Sequence, residues 1–290
     1  MLNNQERRLS KTVYKKLFRK TLRRIFKSKK GLAIPVTYMV LFVSLMAIIS
    51  VTYSFAVVKI GARGALLKAS VAKHNMLVLD DAVHSVAWSF GASKVVYMDD
   101  CGGVFQMQPS ARSLLINFTD EQTFHTVVFN KSIGTASYEL QPSEINYDGL
   151  FIRGDERTII NNSFTMTQLY VTSGDNAKEL VLCYRPSAAS AVINANNGKP
   201  QNLIRIHILK FESFHSLTCR EQFYIKVTSL NVTTIPYQYE FNQSISSLAL
   251  QAVSDGTLAT IWLPISSNAE GAVVNVETVV CHIEIQKAGV

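Results

Sequence analysis

The residues able to do chemistry are few and dispersed. Four cysteines occur, Cys101, Cys183, Cys219 and Cys281. Three disulfide pairings of four cysteines exist and spacing does not choose among them; four buried free thiols are the alternative. Cys281 alternates with Val279, Ile283 and Ile285, so its side chain should point inward. Six histidines are present, and no His-Glu-x-x-His or Cys-x-x-Cys spacing occurs, so no metal site is expected. His74 and His84 lie ten apart on a helical stretch and do not share a face as ligands; His207 and His282 fall at outward strand positions. Neither a Gly-x-Ser-x-Gly elbow nor a glycine-rich phosphate loop is present. Asp99–Asp100 and Asp120–Glu121 sit in turns, where carboxylates cap backbone N–H groups. Arg153-Gly154-Asp155 reads as three common turn residues in a loop. No catalytic residue and no cofactor is expected, and the chain does not read as an enzyme.

A different chemistry is written in the asparagines. Five Asn-x-Ser/Thr sequons, at Asn117, Asn130, Asn161, Asn231 and Asn242, are candidate glycosylation sites. All five, like all four cysteines, lie beyond a single long apolar segment. Between Lys30 and Lys59 run 28 residues without a charge, GLAIPVTYMVLFVSLMAIISVTYSFAVV. As a helix they extend ~40 Å, more than the ~30 Å of a bilayer's hydrocarbon. The apolar run is too long for a cleaved secretory signal, and no Ala-x-Ala site stands out.

Charge orients the segment. Residues 1–30 hold twelve Lys/Arg against Glu6 alone, a net +11; the chain total of +8 leaves −3 for the other 260 residues. The basic flank predicts a cytoplasmic N-terminus and an extracellular body, where disulfides and glycans are permitted. A mildly acidic body also argues against nucleic acid as a partner. In the leader, Tyr14, Leu17, Phe18, Leu22, Ile25 and Phe26 interleave with the basic residues at helical spacing, a pattern suited to an anionic lipid surface.

The helical pattern continues past the membrane. Ala62, Ala65, Ala69, Ala72, Met76, Leu79, Val83, Val86 and Phe90 recur at alternating spacings of three and four. This stripe is small near the bilayer and bulky at its far end. The spacing predicts one helix from about 33 to 90. Its bulky half should lie on the chain's own globular domain, with the alanines packing against other copies; a coiled-coil dimer stalk is the alternative.

From residue 92 the pattern is strands and turns. Lys94–Met98 and Val104–Gln108 flank Asp-Asp-Cys-Gly-Gly and read as a hairpin. Arg112–Phe118, Phe124–Asn130, Ala136–Leu140, Leu150–Arg153, Phe164–Thr172, Leu180–Tyr184 and Leu203–Phe211 follow. Runs around Phe223–Val227 and Leu248–Ala252 come next, with a last strand over Val273–Ile285. Ser187–Asn202, small and polar, reads as a long exposed loop. The expected class is α+β: a basic leader over 1–31, a transmembrane then amphipathic helix over 32–91, and an antiparallel β-sandwich over 92–290.

The junction Lys29-Lys30-Gly31-Leu32-Ala33-Ile34-Pro35-Val36 resembles the class III signal of archaeal type IV pilins. The order of apolar helix, amphipathic helix and β domain resembles that family too. So does the stretch Val86–Val96 followed by Cys101-Gly-Gly-Val-Phe, which looks like pilin-like membrane-anchored proteins of archaea. The resemblance implies cleavage by a prepilin peptidase after Gly31, with Lys30 before it and Leu32 as the new N-terminus. It also implies assembly with itself or with other pilin-like subunits into a surface filament, as a minor or adhesive subunit. Three features depart from the family: Val36 replaces the acidic fifth mature residue, the leader is long, and the body is large. A single-pass anchored domain that binds or senses a ligand without polymerising is the alternative function.

Overall fold

The computed structural model describes residues 29–120, 124–140, 149–173, 177–194, 198–212 and 216–289, without the side chains of 29–33 and 194. The leader expected over 1–31 therefore lies almost wholly outside the described residues, as do Glu121 and His215. The chain divides into two compact units, Met1–Arg63 and Gly64–Val290.

One helix, α1 (Lys29–Val86), runs through both. In the first unit, the described part of α1 is exposed from Ile34 almost without interruption, and its most apolar window is 0% buried. This is one helix long and apolar enough to cross a membrane. Pro35 lies in the second turn of α1, where it removes the N–H that would otherwise bond the Gly31 carbonyl.

The second unit is a β-rich domain carrying the outer end of α1. Two sheets build it, mostly antiparallel. The first contains β1 (Ser93–Met98), β11 (Phe223–Phe241), β14 (Ala272–Lys287), β9 (Gln201–Phe211), β8 (Ser187–Asn194) and β5 (Ile160–Asn161), in that spatial order. The second runs β13 (Thr257–Pro264), β12 (Ser247–Ser254), β2 (Val104–Thr119), β3 (His125–Leu140), β7 (Lys178–Tyr184), β6 (Thr167–Ser173) and β4 (Phe151–Arg153). A short β10 (Leu217–Arg220) pairs with the start of β2. Two neighbouring pairs are parallel, β14 with β9 and β5 with β8.

Long strands serve two cores. On β9, Ile204, Ile206 and Ile208 are buried, and then Leu209 and Phe211. On β14, Val274, Val276 and Val280 are buried, and then Cys281, Ile283 and Ile285. The pairing of these strands is unbroken through the change, so the buried side moves to the opposite face of the sheet within one residue step. One core holds the first set with Leu114, Ile116, Phe118, Leu248 and Leu250. The other holds the second set with Phe105, Met107, Tyr138, Leu182 and the helix residues Ala72, Met76, Leu79, Val83 and Val86. Both sheets contribute to both cores.

Three expectations change here. The strands flanking Asp-Asp-Cys-Gly-Gly are not a hairpin: β1 pairs with β11, β2 pairs with β3, and the turn carries the chain from one sheet to the other. Ser187–Asn194 is strand β8, not loop; it pairs with β9, and Ala188 is fully buried. The helix stops at Val86. Trp88 adopts φ 66°, the left-handed conformation that ends helices, so the alternating stripe cannot extend to residue 90.

Candidate functional site

The stripe predicted on α1 separates into three fates. Ala62 is exposed; Ala65 and Ala69 are half-buried. Ala72, Met76, Leu79, Val83 and Val86 are buried in the core of the β-rich unit, so Ala72 is not available to another copy, contrary to expectation. Phe90, expected against the domain, is 78% exposed, because it follows the left-handed Trp88 and leaves the helical register.

Between the buried positions lies a charge. Asp80 follows Leu79 and its carboxylate is fully buried. A carboxylate so placed needs donors for both oxygens. The Tyr184 hydroxyl donates to Oδ1 at 2.8 Å, and the Thr167 hydroxyl donates to Oδ1 and Oδ2 at 2.9 and 3.1 Å. Arg153 completes the ion pair at Oδ2 and reaches Asp81 Oδ1 at 3.0 Å. One helical turn on, His84 Nε2 lies 2.8 Å from Thr167 Oγ1. Thr167 has one proton and gives it to Asp80, so His84 must donate and carries its proton on Nε2. Burial and then the Asp80 charge hold the Tyr184 phenol well above its usual range, so it stays a donor. Helix, β4, β6 and β7 thus meet on one carboxylate. In the sequence Asp80 and Asp81 lie between Leu79 and Ala82, and the local signal for this site is a carboxylate followed four residues later by His84 beside an apolar stripe.

A second hub adjoins it. Asp155 accepts from Arg157 Nε at 3.0 Å and Nη2 at 2.6 Å, and pairs with Arg185, whose side chain is 1% exposed. Arg157, then Arg185, hold the Asp155 carboxyl far below the usual carboxylate range. Arg185 also donates to the Thr165 and Arg157 carbonyls. Gly154 between the hubs has φ +81°, and a Cβ there would stand 2.1 Å from the Thr167 carbonyl oxygen. The Arg-Gly-Asp tripeptide is therefore occupied internally at all three residues.

Beside these hubs opens a cleft of about 420 Å³ lined by Arg112, Phe151, Arg157, Gln168, Tyr170 and Leu258, among others. Arg112 pairs with Asp255 at 2.5 Å and donates to Cys183 Sγ at 2.7 Å. Burial pushes the Cys183 thiol up, and the Arg112 charge opposes the shift. Elsewhere Thr233, His282 and Glu212 stand in hydroxyl–imidazole–carboxylate order, with Thr233 Oγ1 3.1 Å from His282 Nε2 and Glu212 on Nδ1. They lie on a sheet surface, and Lys210 shares the carboxylate at 3.1 Å. Geometry gives them a cross-strand polar ladder, and none of the three lines the cleft above.

All four cysteines are free and buried, the alternative to the three possible disulfide pairings. Cys281 faces inward as its alternation required, near Ser229 Oγ at 3.7 Å. Of the sequon asparagines, Asn130, Asn161, Asn231 and Asn242 are exposed. Asn117 is half-buried, with Oδ1 enclosed and without a hydrogen-bond partner among the described residues. Lys30, Gly31 and Leu32 fall in the first turns of α1. Among the described residues no three His, Cys, Asp or Glu side chains converge as metal ligands. No family model, curated protein or solved structure matches the chain.

Proposed function

We propose that the chain is a pilin-like subunit of a cell-surface filament, in a minor or adhesive position. Its N-terminus is cytoplasmic, its β domain extracellular, and a prepilin peptidase releases it by cutting after Gly31. The observation that carries this reading is the division of labour along α1. Residues from Ile34 through Ile60 expose nearly every apolar side chain, 50–71% for the large ones. Residues from Ala72 to Val86 are committed to the β-rich unit. Exposed apolar helix of this length is stable in hydrocarbon or against other apolar helices, and a filament core supplies the second environment when the first is left. Ala62, Ala65 and Ala69 provide the small residues that close helix approach needs. The two sheets, sharing two cores, are read as a β-sandwich elaborated around the outer end of the helix.

The experiment is the N-terminal residue of the mature chain in membranes. Mass spectrometry should find Leu32 first, and Gly31→Asp should retain the leader. An intact Met1 peptide in mature protein removes the pilin route. The second reading, an anchored binding or sensing domain that stays monomeric, draws on Val36, which supplies no charge at the fifth mature position, and on the cleft beside Arg112 and Arg157. It predicts an uncut chain that never leaves the membrane fraction.

A further inference from the structure

Strand β11 has an edge that is half covered. Over Phe223–Thr228 it is flanked by β1 on one side and β14 on the other. From Asn231 to Phe241 it pairs with β14 alone among the described residues. Alternate backbone N–H and C=O groups of this stretch therefore have no ladder partner among the described residues. Its side chains are also open: Asn231, Thr234, Pro236, Tyr237, Gln238 and Glu240 are exposed.

Such an edge invites pairing with another chain. The sequence NVTTIPYQYEF is rich in β-branched and aromatic residues, and Glu240 is its one charge, already paired with Lys199 at 2.6 Å. Edges are normally blunted by charge or by proline. Here Pro236 stands in the middle and charge is nearly absent. At the two ends of the open stretch stand sequons, Asn231-Val232-Thr233 and Asn242-Gln243-Ser244, both with exposed asparagines.

We propose that N-linked glycans on Asn231 and Asn242 shield the open edge of β11 and keep the β domain from pairing edge to edge. The co-reactant is a polyprenyl-phosphate-linked oligosaccharide presented by a membrane transferase. The asparagine Nδ2 attacks the anomeric carbon, forming the N-glycosidic bond and giving one proton to the transferase. The anomeric C–O bond breaks and the polyprenyl phosphate leaves with the electron pair; no oxidation occurs. In the folded domain Thr233 Oγ1 lies 3.1 Å from His282 Nε2. The inference rests on the extracellular placement of the β domain proposed above and not on polymerisation.

Peptides containing Asn231 and Asn242, taken from full-length protein of native membranes, should carry oligosaccharide mass; unmodified asparagine at both overturns the proposal. Asn231→Gln with Asn242→Gln should raise the dimer and higher-mass fraction of detergent-solubilised full chain several-fold. Asn231→Asp with Asn242→Asp removes the glycans but places charge at both ends of the edge, and should stay monomeric. Equal association of the two double variants, or none in the Gln variant, overturns it. Asn130→Gln with Asn161→Gln, away from this edge, should leave association unchanged; an equal rise there would likewise refute a β11-specific shield.

Discussion

Asp80→Ala tests whether the helix is latched to the β domain by a buried carboxylate. The substitution leaves the Tyr184 hydroxyl, on a residue 3% exposed, without its acceptor. Thr167, fully buried, also loses its acceptor but keeps His84. A buried hydroxyl left unpaired costs about 1–3 kcal/mol. Arg153, 39% exposed, can rehydrate, and its share is about 0–1 kcal/mol. The two hydroxyls and the Arg153 share together give about 2–7 kcal/mol. For a domain the size of Gly64–Val290, each kcal/mol moves the melting point roughly 2–4 °C, so the drop should be at least about 4 °C. Fluorescence of Trp88 and Trp262, both in that unit, reads the transition in detergent-solubilised full chain. Asp81→Ala is the control: Asp81 is 64% exposed and shares only Arg153, so it should cost under about 1 kcal/mol. Equal melting of the two variants would refute the latch.

Met76→Ala or Leu79→Ala should cost about 2–5 kcal/mol by opening a cavity, while Phe90→Ala should leave the melting point within about 2 °C. The same melts decide both. Asp155 binds its proton less readily folded than unfolded, so its contribution is present above about pH 4 and is lost as pH falls through that range. Acid unfolding of Asp155→Asn should accordingly be flatter below pH 4 than that of the parent. Alkylation of unreduced, denatured protein should label four thiols per chain; fewer would show a disulfide among Cys101, Cys183, Cys219 and Cys281.

What was legible followed the physics that dominates each segment. The apolar run and the stripe from Ala72 to Val86 were clear because burial or lipid fixes a helical period. The change of core at Ile208-Leu209 and Val280-Cys281 was not read from the alternation, which carried Val279 and Cys281 onto one face. β2 read as two strands because Pro109 interrupts it; in the fold β3 pairs on both sides of that irregularity. β13 was missed because it is an edge strand whose outward Leu258 and Trp262 blur the alternation. β8 was missed because small side chains, which suit close strand approach, also suit loops. The latch at Asp80 needed partners more than seventy residues away, Arg153, Thr167 and Tyr184, which local pattern does not announce.

The central claim is that the exposed half of α1 ends up packed against the same segment of other subunits. A photo-crosslinker at Tyr53, 70% exposed on that half, tests it in material sheared from the cell surface. The chain should appear in the sheared fraction, beginning at Leu32, with a ladder of crosslinked multimers through residue 53. A chain confined to membranes, crosslinking there to lipid alone, would contradict it.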